Sequence, residues 1–443
     1  MRIKNIKIEG LFDMFDHPIP LNMDERLSIV YGINGIGKTT LFKILDNLFN
    51  ISLRKILALA KSPFRLLEVT YEDGKTLIVE NQKEKIEISY KQKETKKSIA
   101  TFSIKDILQE SEDIFNDKSP LGRNFRAIGL INISSGKFLK RDTEEILDYE
   151  QVLERYSDYL PDNYLKQIPS ELKDILNKTS LYFIQTQRLI IFQPKNSRLR
   201  DEFSFEKEDS VTQYSNEIAE TIKSKREDRN KLSNDLQQSL HKRILDNSVD
   251  TGYSFEKLNE SSAKIEKRID ELKEIGLLED MKMDNLKVKE DIDNVKKAIL
   301  SVNIQDIEKT LDIFDGLYPK FQKFIEILNE RRLSFKKISL TEKGFVFTNS
   351  KGKVINASDL SSGEQHELVL LYLLLFKIPE NSLILIDEPE ISLHITWQKA
   401  FLDDMKEIIK LRDFDILVAT HSPSIINGNW DLTIQLKDND ETE

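Results

Sequence analysis

The segment that decides the fold is residues 32–39, GINGIGKT. It fits the pattern G-x-x-x-x-G-K-T and lies between an apolar strand predicted at residues 27–31 and a helix predicted from Lys38 to Leu48. The glycines let the backbone N–H groups of the loop turn inward around phosphate oxygens, and the helix N-terminus adds a favourable dipole. The sequence therefore predicts a phosphate-binding loop that connects a strand to a helix.

The polar side chains of this loop have expected roles. Lys38 is predicted to place its positive charge against the β- and γ-phosphates, and Thr39 to offer its hydroxyl to Mg²⁺. Because the chain has no cysteine, any metal must be bound by oxygen or histidine. ATP with Mg²⁺ is the expected ligand. The predicted nucleotide contacts in this segment are Gly32, Asn34, Gly35, Gly37, Lys38, Thr39 and Thr40.

Two carboxylates follow a second apolar strand. Residues 383–386 (LILI) are followed directly by Asp387 and Glu388. A strand this apolar is typical of a parallel sheet covered on both faces, and open α/β sheets bind ligands at the carboxyl ends of such strands. Asp387 is therefore expected to support Mg²⁺, and Glu388 is expected to orient or deprotonate the attacking water.

The composition describes a globular chain with long charged helices. Of its 443 residues, 39% are hydrophobic and 32% are charged. The longest apolar run, residues 368–376, is far shorter than the roughly 20 residues that a membrane-spanning helix needs. The N-terminus MRIKNIKIEG alternates like a strand, so a cytoplasmic protein without membrane contact is expected. The formal net charge of −10 argues against coating nucleic acid over the whole surface.

Strands and helices alternate toward both ends of the chain, which predicts an α/β fold with a parallel sheet. The sheet is expected to form from an N-terminal lobe, residues 1–200, and a C-terminal lobe, residues 336–443. Residues 201–335 predict a helical insertion with a turn at residues 248–253, either a coiled coil or a compact helical subdomain. The apolar positions expected to pack there are Ile218, Ile222, Leu232, Leu236, Leu240, Leu258, Ile265, Ile269, Leu272, Ile292, Val295 and Ile299.

Three further segments carry a family resemblance: residues 360–365 (LSSGEQ), 387–394 (DEPEISLH) and 419–423 (ATHSP). Together with the phosphate-binding loop they resemble, in content and order, the Walker A, signature, Walker B with D-loop, and H-loop motifs of ABC-type ATPases of the SMC, RecF and OLD branch. The resemblance implies an ABC-type P-loop ATPase head built from both chain ends, with a helical or coiled-coil insertion. In style the chain is similar to ATPase subunits of bacterial anti-phage systems such as Septu and PARIS.

The resemblance also implies that two copies, or a higher homo-oligomer, assemble head to tail. In such ATPases the nucleotide lies between the Walker A loop of one subunit and the signature segment of its partner. A lone subunit is therefore expected to hydrolyse ATP poorly. The signature residues expected to complete the partner's site are Ser361, Ser362, Gly363 and Glu364.

Two further residues are assigned by their position in these motifs. His421 resembles the switch histidine that contacts the γ-phosphate. A Q-loop glutamine is expected where the strand at residues 181–184 meets the insertion, which favours Gln187 over Gln185. Ile33 stands where the family often has proline, a small departure because the glycines remain. The expected catalytic residues are Lys38, Glu388 and His421, and the expected metal ligands are Thr39, Asp387 and Gln187.

Three functions remain open, and all share ATP hydrolysis. The first is a sensor or regulator of anti-phage defence that controls a separate effector chain such as a nuclease. The second is a RecF- or SMC-like ATPase of DNA repair or chromosome organisation. The third is a transporter subunit, in which the Walker A and signature motifs would be closer in sequence. Only residues 422–443 follow the H-loop, so no nuclease domain of the OLD type is expected.

Basic clusters are candidate contacts for DNA or RNA, although most clusters of this size are solvated surface. They comprise Arg54, Lys55, Lys61 and Arg65, then Lys91, Lys93, Lys96 and Lys97, and finally Lys195, Arg198 and Arg200.

Overall fold

The computed structural model describes residues 1–437, except for residues 84, 93–94, 104–128, 135–136, 142, 149–150, 153–167, 186–189, 195–204, 246–251 and 280–292. The chain divides into two compact units. The first, here called the head unit, contains Met1–Glu208 and Ile378–Glu443, and the second, the helical unit, is Asp209–Lys377. Both ends of the chain therefore build the head unit.

The elements are numbered in chain order. The strands that precede and follow the helical unit are β1 (Ile3–Leu11), β2 (Phe15–Pro20), β3 (Leu27–Tyr31), β4 (Leu66–Tyr71), β5 (Thr76–Asn81), β6 (Lys85–Gln92), β7 (Thr95–Ser103), β8 (Leu130–Ser134), β9 (Lys137–Lys140), β10 (Glu145–Asp148), β11 (Ser180–Ile184), β12 (Ile190–Pro194), β13 (Phe205–Asp209), β17 (Ser382–Asp387), β18 (Asp415–Thr420) and β19 (Thr433–Gln435). The helices of the head unit are α1 (Lys38–Phe49), α2 (Leu53–Lys61), α3 (Ser170–Leu176), α9 (Ile395–Leu411) and α10 (Pro423–Ile426). The helical unit contains α4 (Ser210–Leu245), α5 (Phe255–Glu274), α6 (Asn294–Leu311), α7 (Tyr318–Glu326), α8 (Ser362–Tyr372), β14 (Lys336–Thr341), β15 (Gly344–Asn349) and β16 (Val354–Ile355).

The centre of the head unit is a five-stranded sheet in the order β11–β17–β18–β3–β19. All of its strand pairs are parallel. Every residue of β17 is buried, as expected for a strand covered on both faces. The predicted α/β fold, with a parallel sheet formed from both ends of the chain, is therefore confirmed.

Helix α1 packs on this sheet through an apolar stripe. Its buried residues include Leu41, Leu45 and Leu48, which recur at steps of three to four residues and so share one face of the helix. They belong to one hydrophobic cluster with Leu385 of β17 and Leu417 of β18. This packing fixes the start of α1, and with it the loop before the helix, against the sheet.

A second sheet of the head unit is antiparallel, in the order β2–β1–β4–β5–β6–β7. The turn at Asp73 and Gly74 connects β4 to β5. Gly74 has a φ of 79°, in the left-handed region that glycine adopts without strain. Buried residues of this sheet, such as Ile6 and Val69, share the hydrophobic cluster with α1.

The described helices of the insertion form a compact unit. Helix α4 packs against α6, α8 and β15, and α5 packs against α6. β14, β15 and β16 form an antiparallel sheet. Leu232, Leu236 and Leu240 are half-buried. The predicted apolar positions that are buried are Ile218, Ile222, Leu258, Ile265, Ile269 and Leu272.

The helix predicted in this region is present as α6, but the packing predicted for Val295 and Ile299 was wrong. Val295 and Ile299 are 69% and 47% exposed, and the helix instead buries Val302, Ile304 and Leu311. Three- to four-residue spacing of apolar side chains identifies a helix, but it does not decide along which part of the helix those side chains find a partner. Ile292, the first member of this series, and most of the turn predicted at residues 248–253 lie outside the described residues.

The two compact units do not divide at the boundary expected between residues 335 and 336. β14, β15, β16 and α8 belong to the helical unit, and the division falls after Lys377. One reason is that β15 lies against α4, where the N–H of Phe345 donates to Ser215 Oγ at 2.8 Å. Helix α8 continues beyond Tyr372 as π-helical turns that end at Lys377. In the described part of the chain, no helix combines the length and the apolar character that crossing a bilayer requires.

Candidate nucleotide-binding site

Three neighbouring strands of the parallel sheet end at the same edge. β17 ends at Asp387, β18 ends at Thr420, and β3 ends at Tyr31, directly before the loop predicted to bind phosphate. The register pairs Asp387 with Ala419 and Thr420 with Tyr31. Because parallel strands place their carboxyl ends together, segments from both ends of the chain meet where such sheets bind ligands.

The loop has the backbone conformation that its glycines predict. Gly35 and Gly37 have φ angles of 90° and 100°, in the left-handed region. A side chain on Gly37 would also collide with the side chain of Leu11. Gly37 is the N-cap of α1, and the described first turn of this helix holds no acidic residue. The helix N-terminus can therefore receive an anion without repulsion from its own first turn.

Lys38 folds back over the loop. Its Nζ donates hydrogen bonds to the carbonyl oxygens of Gly32 at 2.7 Å and Ile33 at 3.0 Å. The residue is only 4% exposed. Burial lowers the pKa of the Lys38 ammonium group, and the negative charges of three nearby carboxylates act in the opposite direction. The lysine is thus held at the loop by carbonyl oxygens whose place phosphate oxygens can take.

Thr39 and Asp387 join the loop to the carboxylate strand. Thr39 Oγ1 donates a hydrogen bond to Asp387 Oδ1 at 3.1 Å, and Asp387 is only 5% exposed. Burial raises the pKa of the Asp387 carboxyl; the hydrogen bond from Thr39 lowers it, and the charge of Glu388 raises it further. A hydroxyl beside a buried carboxylate offers the oxygen ligands that Mg²⁺ prefers. These two residues therefore fit the predicted cation.

Glu388 and His421 lie at the same edge. Glu388 has a φ of 43°, and its N–H donates to the carbonyl oxygen of Ala419 at 2.8 Å. A non-glycine residue held in this region is strained, and such strain is concentrated at functional sites. Glu388 Oε1 lies 3.8 Å from Nδ1 of His421. The predicted base and the predicted switch histidine are therefore neighbours.

Glu390 makes contacts at this edge that the sequence did not predict. Its Oε1 accepts hydrogen bonds from Thr420 Oγ1 at 2.7 Å and from the N–H of His421 at 3.0 Å, and it lies 3.1 Å from His421 Nδ1. The residue is 8% exposed. One signal could have found it: an acidic residue two positions after Glu388, in a turn whose other members are apolar or small.

The remaining predicted residues of the head unit occupy several environments. Asn34 and Gly35 are exposed on the loop, and Thr40 is half-buried in α1. Gln187 lies outside the described residues, and Gln185 is exposed directly after β11, so the assignment of the Q-loop glutamine stays a prediction. The predicted residues that the structure brings together at the sheet edge are Gly32, Lys38, Thr39, Asp387, Glu388 and His421.

The signature segment lies in the helical unit, at the N-terminus of α8. Ser361 Oγ accepts a hydrogen bond from the N–H of Glu364, and the Glu364 carboxylate accepts one from the N–H of Ser361 at 2.7 Å, which is a capping box. Glu364 is buried and also pairs with Lys336 at 2.7 Å. Ser361 and Ser362 are exposed, and Gly363 is half-buried. The predicted contact of these residues with nucleotide stays a prediction.

The basic clusters are partly neutralised. Ion pairing of this kind reduces the positive potential that would attract phosphates. Residue 93 and the cluster at residues 195–200 lie outside the described residues, and contact with DNA or RNA stays a prediction. The described cations of the clusters that form ion pairs include Lys55 with Asp46, Arg65 with Glu9, Lys96 with Glu80 and Lys97 with Glu171.

Curated relatives resemble short segments of the chain. A probable iron chelatin transport ATP-binding protein of Helicobacter pylori is 33% identical over 81 residues, which are 18% of this chain and 31% of that protein. Protein ea59 of Escherichia phage lambda is 36% identical over 67 residues, which are 15% of this chain and 13% of that protein. The matched segments therefore span less than a third of either relative.

Two solved structures align over most of the chain at low similarity. The Smc head domain of Pyrococcus furiosus, with an extended coiled coil and bound to the C-terminal domain of ScpA, is 14% identical, with a TM-score of 0.37 and coverage of 99% of this chain and 94% of that chain. The SMC head domain of Thermotoga maritima is 13% identical, with a TM-score of 0.33 and coverage of 96% and 91%. Both TM-scores are below 0.5.

The family comparison covers far more of the sequence than the two curated relatives do. Residues 1–426 match the family described as AAA ATPase domain. The match includes four of the five strands of the parallel sheet, from both ends of the chain, and every motif residue at its edge. The chain therefore belongs to the AAA ATPase domain family.

Proposed function

We propose that this protein binds and hydrolyses ATP with Mg²⁺ at a site that a second copy of the chain completes. The observation that carries the proposal is the hydrogen bond of 3.1 Å from Thr39 Oγ1 to Asp387 Oδ1. It joins a phosphate-binding loop near one end of the chain to a carboxylate strand near the other. P-loop NTPases use these two elements for the triphosphate and its cation.

The residues of the loop bind the phosphates. The ammonium group of Lys38 supplies positive charge, and the N-terminus of α1 adds the partial positive charge of its free backbone N–H groups. Thr39 and Asp387 would hold Mg²⁺, which when bound neutralises negative charge on the phosphate oxygens. The buried carboxylate of Asp387 then gains a cationic neighbour that offsets its burial.

Glu388 and His421 act on the terminal phosphate. The carboxylate of Glu388 orients the attacking water or accepts its proton. The ring of His421 contacts the γ-phosphate. Its Nδ1 lies 3.8 Å from Oε1 of Glu388. Because both groups stand at the carboxyl ends of adjacent strands, a small shift in either strand would separate them.

The second copy supplies the signature segment. The exposed Ser361 and Ser362 stand at the N-terminus of α8, where hydroxyl groups and the helix dipole favour an anion. A head-to-tail pair with two-fold symmetry would bring this segment to the loop of the partner twice, giving two equivalent sites. In this proposed arrangement, Ser361 and Ser362 are exposed in a single copy because their ligand is bound by the loop of the partner.

Glu388→Gln tests the proposal because it removes the base and keeps the side-chain shape. We expect the variant to bind ATP, to turn over about 100-fold more slowly than wild type, and to accumulate as a nucleotide-locked dimer. Sedimentation velocity with and without Mg–ATP measures the assembly, and phosphate release measures turnover. Lys38→Ala, which should lose nucleotide binding, is the matched control and should stay at the nucleotide-free mass.

An identical mass for Glu388→Gln with and without ATP, at a nucleotide concentration that saturates binding, would contradict the head-to-tail site. Undiminished turnover would contradict the role of Glu388. The two outcomes are independent, so binding, chemistry and assembly are tested separately.

The proposed biological role is a sensor or regulator of anti-phage defence that controls a separate effector chain. Two features support it: the described insertion is a compact helical unit rather than a long regular coiled coil, and the D-loop at residues 389–394 reads PEISLH. Capture of tagged Glu388→Gln with ATP, from cells that contain the neighbouring genes, tests the role. A co-captured nuclease would support defence, whereas co-captured DNA with chromosome proteins would support the RecF- or SMC-like alternative.

A transporter subunit is the remaining candidate, because the Helicobacter pylori relative is described as a transport ATP-binding protein. The similarity covers only 81 residues. In this chain a large insertion separates Lys38 from Leu360, whereas transporter subunits keep the Walker A and signature motifs closer in sequence. Recovery of a membrane permease in the same capture experiment would favour this candidate over the other two.

A further inference from the structure

The turn that follows β17 carries a buried acid with a specific set of contacts. Pro389–Ser392 forms a 3-10 turn, and Glu390 extends from it to the end of β18. We infer that Glu390 is a positioning residue that orients the ring of His421 and thereby sets the rate of ATP hydrolysis. The inference rests on the proposed ATPase function and adds a residue to its site.

The first argument is the geometry at the ring. Glu390 Oε1 lies 3.1 Å from His421 Nδ1, whereas the nearest oxygen of Glu388 lies at 3.8 Å, so Glu390 is the carboxylate closer to this ring nitrogen. A carboxylate at Nδ1 retains the proton there and fixes the ring plane, as carboxylates do for other functional histidines. Nε2 is then the nitrogen left for a phosphate oxygen. The ring is 42% exposed, so packing alone does not hold it.

The second argument is the backbone. The same Oε1 accepts hydrogen bonds from Thr420 Oγ1 at 2.7 Å and from the N–H of His421 at 3.0 Å. Thr420 Oγ1 in turn accepts one from the N–H of Ser422 at 3.0 Å. One carboxylate oxygen therefore restrains both the position of the His421 backbone and the direction of its ring.

The third argument is that the turn carrying Glu390 is itself anchored. Gln398 Nε2, from α9, donates to the carbonyl oxygens of Leu393 at 3.1 Å and Glu390 at 3.3 Å. Gln398 Oε1 accepts a hydrogen bond from Ser422 Oγ at 3.0 Å. The turns on both sides of the contact are thus tied to one helix, which makes the position of Glu390 relative to His421 well defined.

The fourth argument is the cost of the carboxylate. Glu390 Oε2 is buried and has no hydrogen-bond partner among the described residues. Burying an ionised acid with an unused oxygen is unfavourable, and an amide would tie the two turns without a charge. A charged acceptor makes a stronger hydrogen bond to Nδ1–H than an amide does. A glutamate rather than a glutamine at position 390 is therefore explained if the function of its carboxylate is to hold the ring of His421.

The side-chain ¹⁵N spectrum of histidine tests the inference directly. The chain has five histidines, and His421→Gln identifies the signal of His421 by its loss. At about pH 8.5, where an ordinary imidazole is neutral, we expect Nδ1 of His421 to carry the proton in the wild-type protein. In Glu390→Ala we expect the proton to move mainly to Nε2. An unchanged His421 spectrum in Glu390→Ala overturns the inference, whether or not the protein hydrolyses ATP.

Steady-state kinetics separate positioning from a purely structural tie. We expect Glu390→Ala to lower kcat about 30-fold with the KM for ATP within about twofold of wild type. Glu390→Gln keeps an acceptor for Thr420 and for the His421 backbone but weakens the hold on the ring, so we expect a loss of about fivefold. If Glu390→Gln had the kcat of wild type, Glu390 would serve only to connect the two turns through its hydrogen bonds to Thr420 and the His421 backbone. That result would reject the inference.

A double variant adds the last control. In the His421→Gln background, Glu390→Ala should change kcat by less than about twofold, because the ring that it positions is gone. Full additivity of the two losses would mean that Glu390 acts independently of His421. Thermal melting of each variant confirms folding. If the wild-type protein hydrolyses no ATP, the proposed function fails, while the ¹⁵N spectrum still decides the role of Glu390.

Discussion

The two regions predicted to meet the nucleotide are built differently. At the sheet edge of the head unit, the functional groups contact one another: Lys38 bonds to the loop carbonyl groups, and Thr39 bonds to Asp387. At the start of α8, Ser361 and Ser362 are exposed, and the charged group that fixes the helix end, Glu364, points to partners inside its own unit. In the first region, contacts within the chain already hold the functional groups in place. In the second region, such contacts fix only the end of the helix, and the two serines remain exposed.

The largest expected effect comes from the sheet edge. Lys38→Ala should lower kcat/KM for ATP about 1000-fold, which corresponds to about 4 kcal/mol of transition-state stabilisation, because the positive charge beside the phosphates is lost. Phosphate release and nucleotide binding measured by fluorescence check this outcome. Lys410→Ala, which changes an exposed lysine of α9, is the control and should behave like wild type.

Mixing two inactive variants sharpens the comparison. Ser362→Arg should bind ATP through an intact loop but fail to complete the partner's site. In an equimolar mixture with Lys38→Ala, each mixed dimer has one intact site of its two, so activity of up to about half that of wild type should return. Absence of recovery, with mixed dimers detected by differential tagging, would mean that the two regions do not act on one nucleotide across the interface.

A stability effect of intermediate size is expected behind the signature segment. Arg332 Nε pairs with Glu367 Oε2 at 2.9 Å, and both side chains are 1% exposed. Removing the guanidinium group by Arg332→Met leaves a buried carboxylate without this partner, so the free energy of unfolding should fall by about 3 kcal/mol. Urea denaturation measures it. Replacing both residues by Met should recover most of the loss, and simple additivity would contradict the pairing.

The smallest expected effect returns to the sheet edge. Burial raises the pKa of Asp387, so the folded chain holds this proton more tightly than the unfolded chain. Such a group stabilises the fold below the unfolded pKa, and the contribution is lost as the pH rises through the folded pKa. Asp387→Asn removes the buried charge, so the nucleotide-free variant should melt about 2 °C higher than wild type at neutral pH.

Two controls accompany this prediction. The difference in melting temperature should shrink as the pH is lowered toward the raised pKa of Asp387, because the wild-type carboxyl then becomes neutral as well. With Mg–ATP the order should reverse, because the variant lacks a charged ligand for the cation. A difference that is independent of pH would mean that burial of the Asp387 charge is not its cause.

Much of the head unit could be predicted from local sequence. Residues 27–31 form β3, α1 begins at Lys38, and apolar strands end at Asp387 and Thr420. These elements are encoded by continuous apolar runs and by glycines that allow a left-handed turn, signals that act over a few residues. These signals were sufficient to identify the loop and the carboxylates as one candidate site, and the resemblance to ABC-type ATPases added His421.

Predictions that depended on distant partners were less successful. Val295 and Ile299 share a face of α6 with the buried Val302, yet both are exposed, because burial depends on which elements pack against each part of the helix. The unit boundary at Lys377 depends on the packing of β15 against α4. The local sequence determines neither feature, since both result from contacts with segments that are distant in sequence.

The sequence by itself determined which residues are chemically equipped for a nucleotide: the glycine loop, Lys38, Thr39 and the two carboxylates after β17. Only the tertiary structure decided that Glu390 contacts His421. The physical reason is the register of the parallel sheet, which pairs Asp387 with Ala419 and so brings together turns about 30 residues apart. Local sequence specifies side-chain chemistry and backbone conformation, whereas strand pairing specifies which of these groups become neighbours.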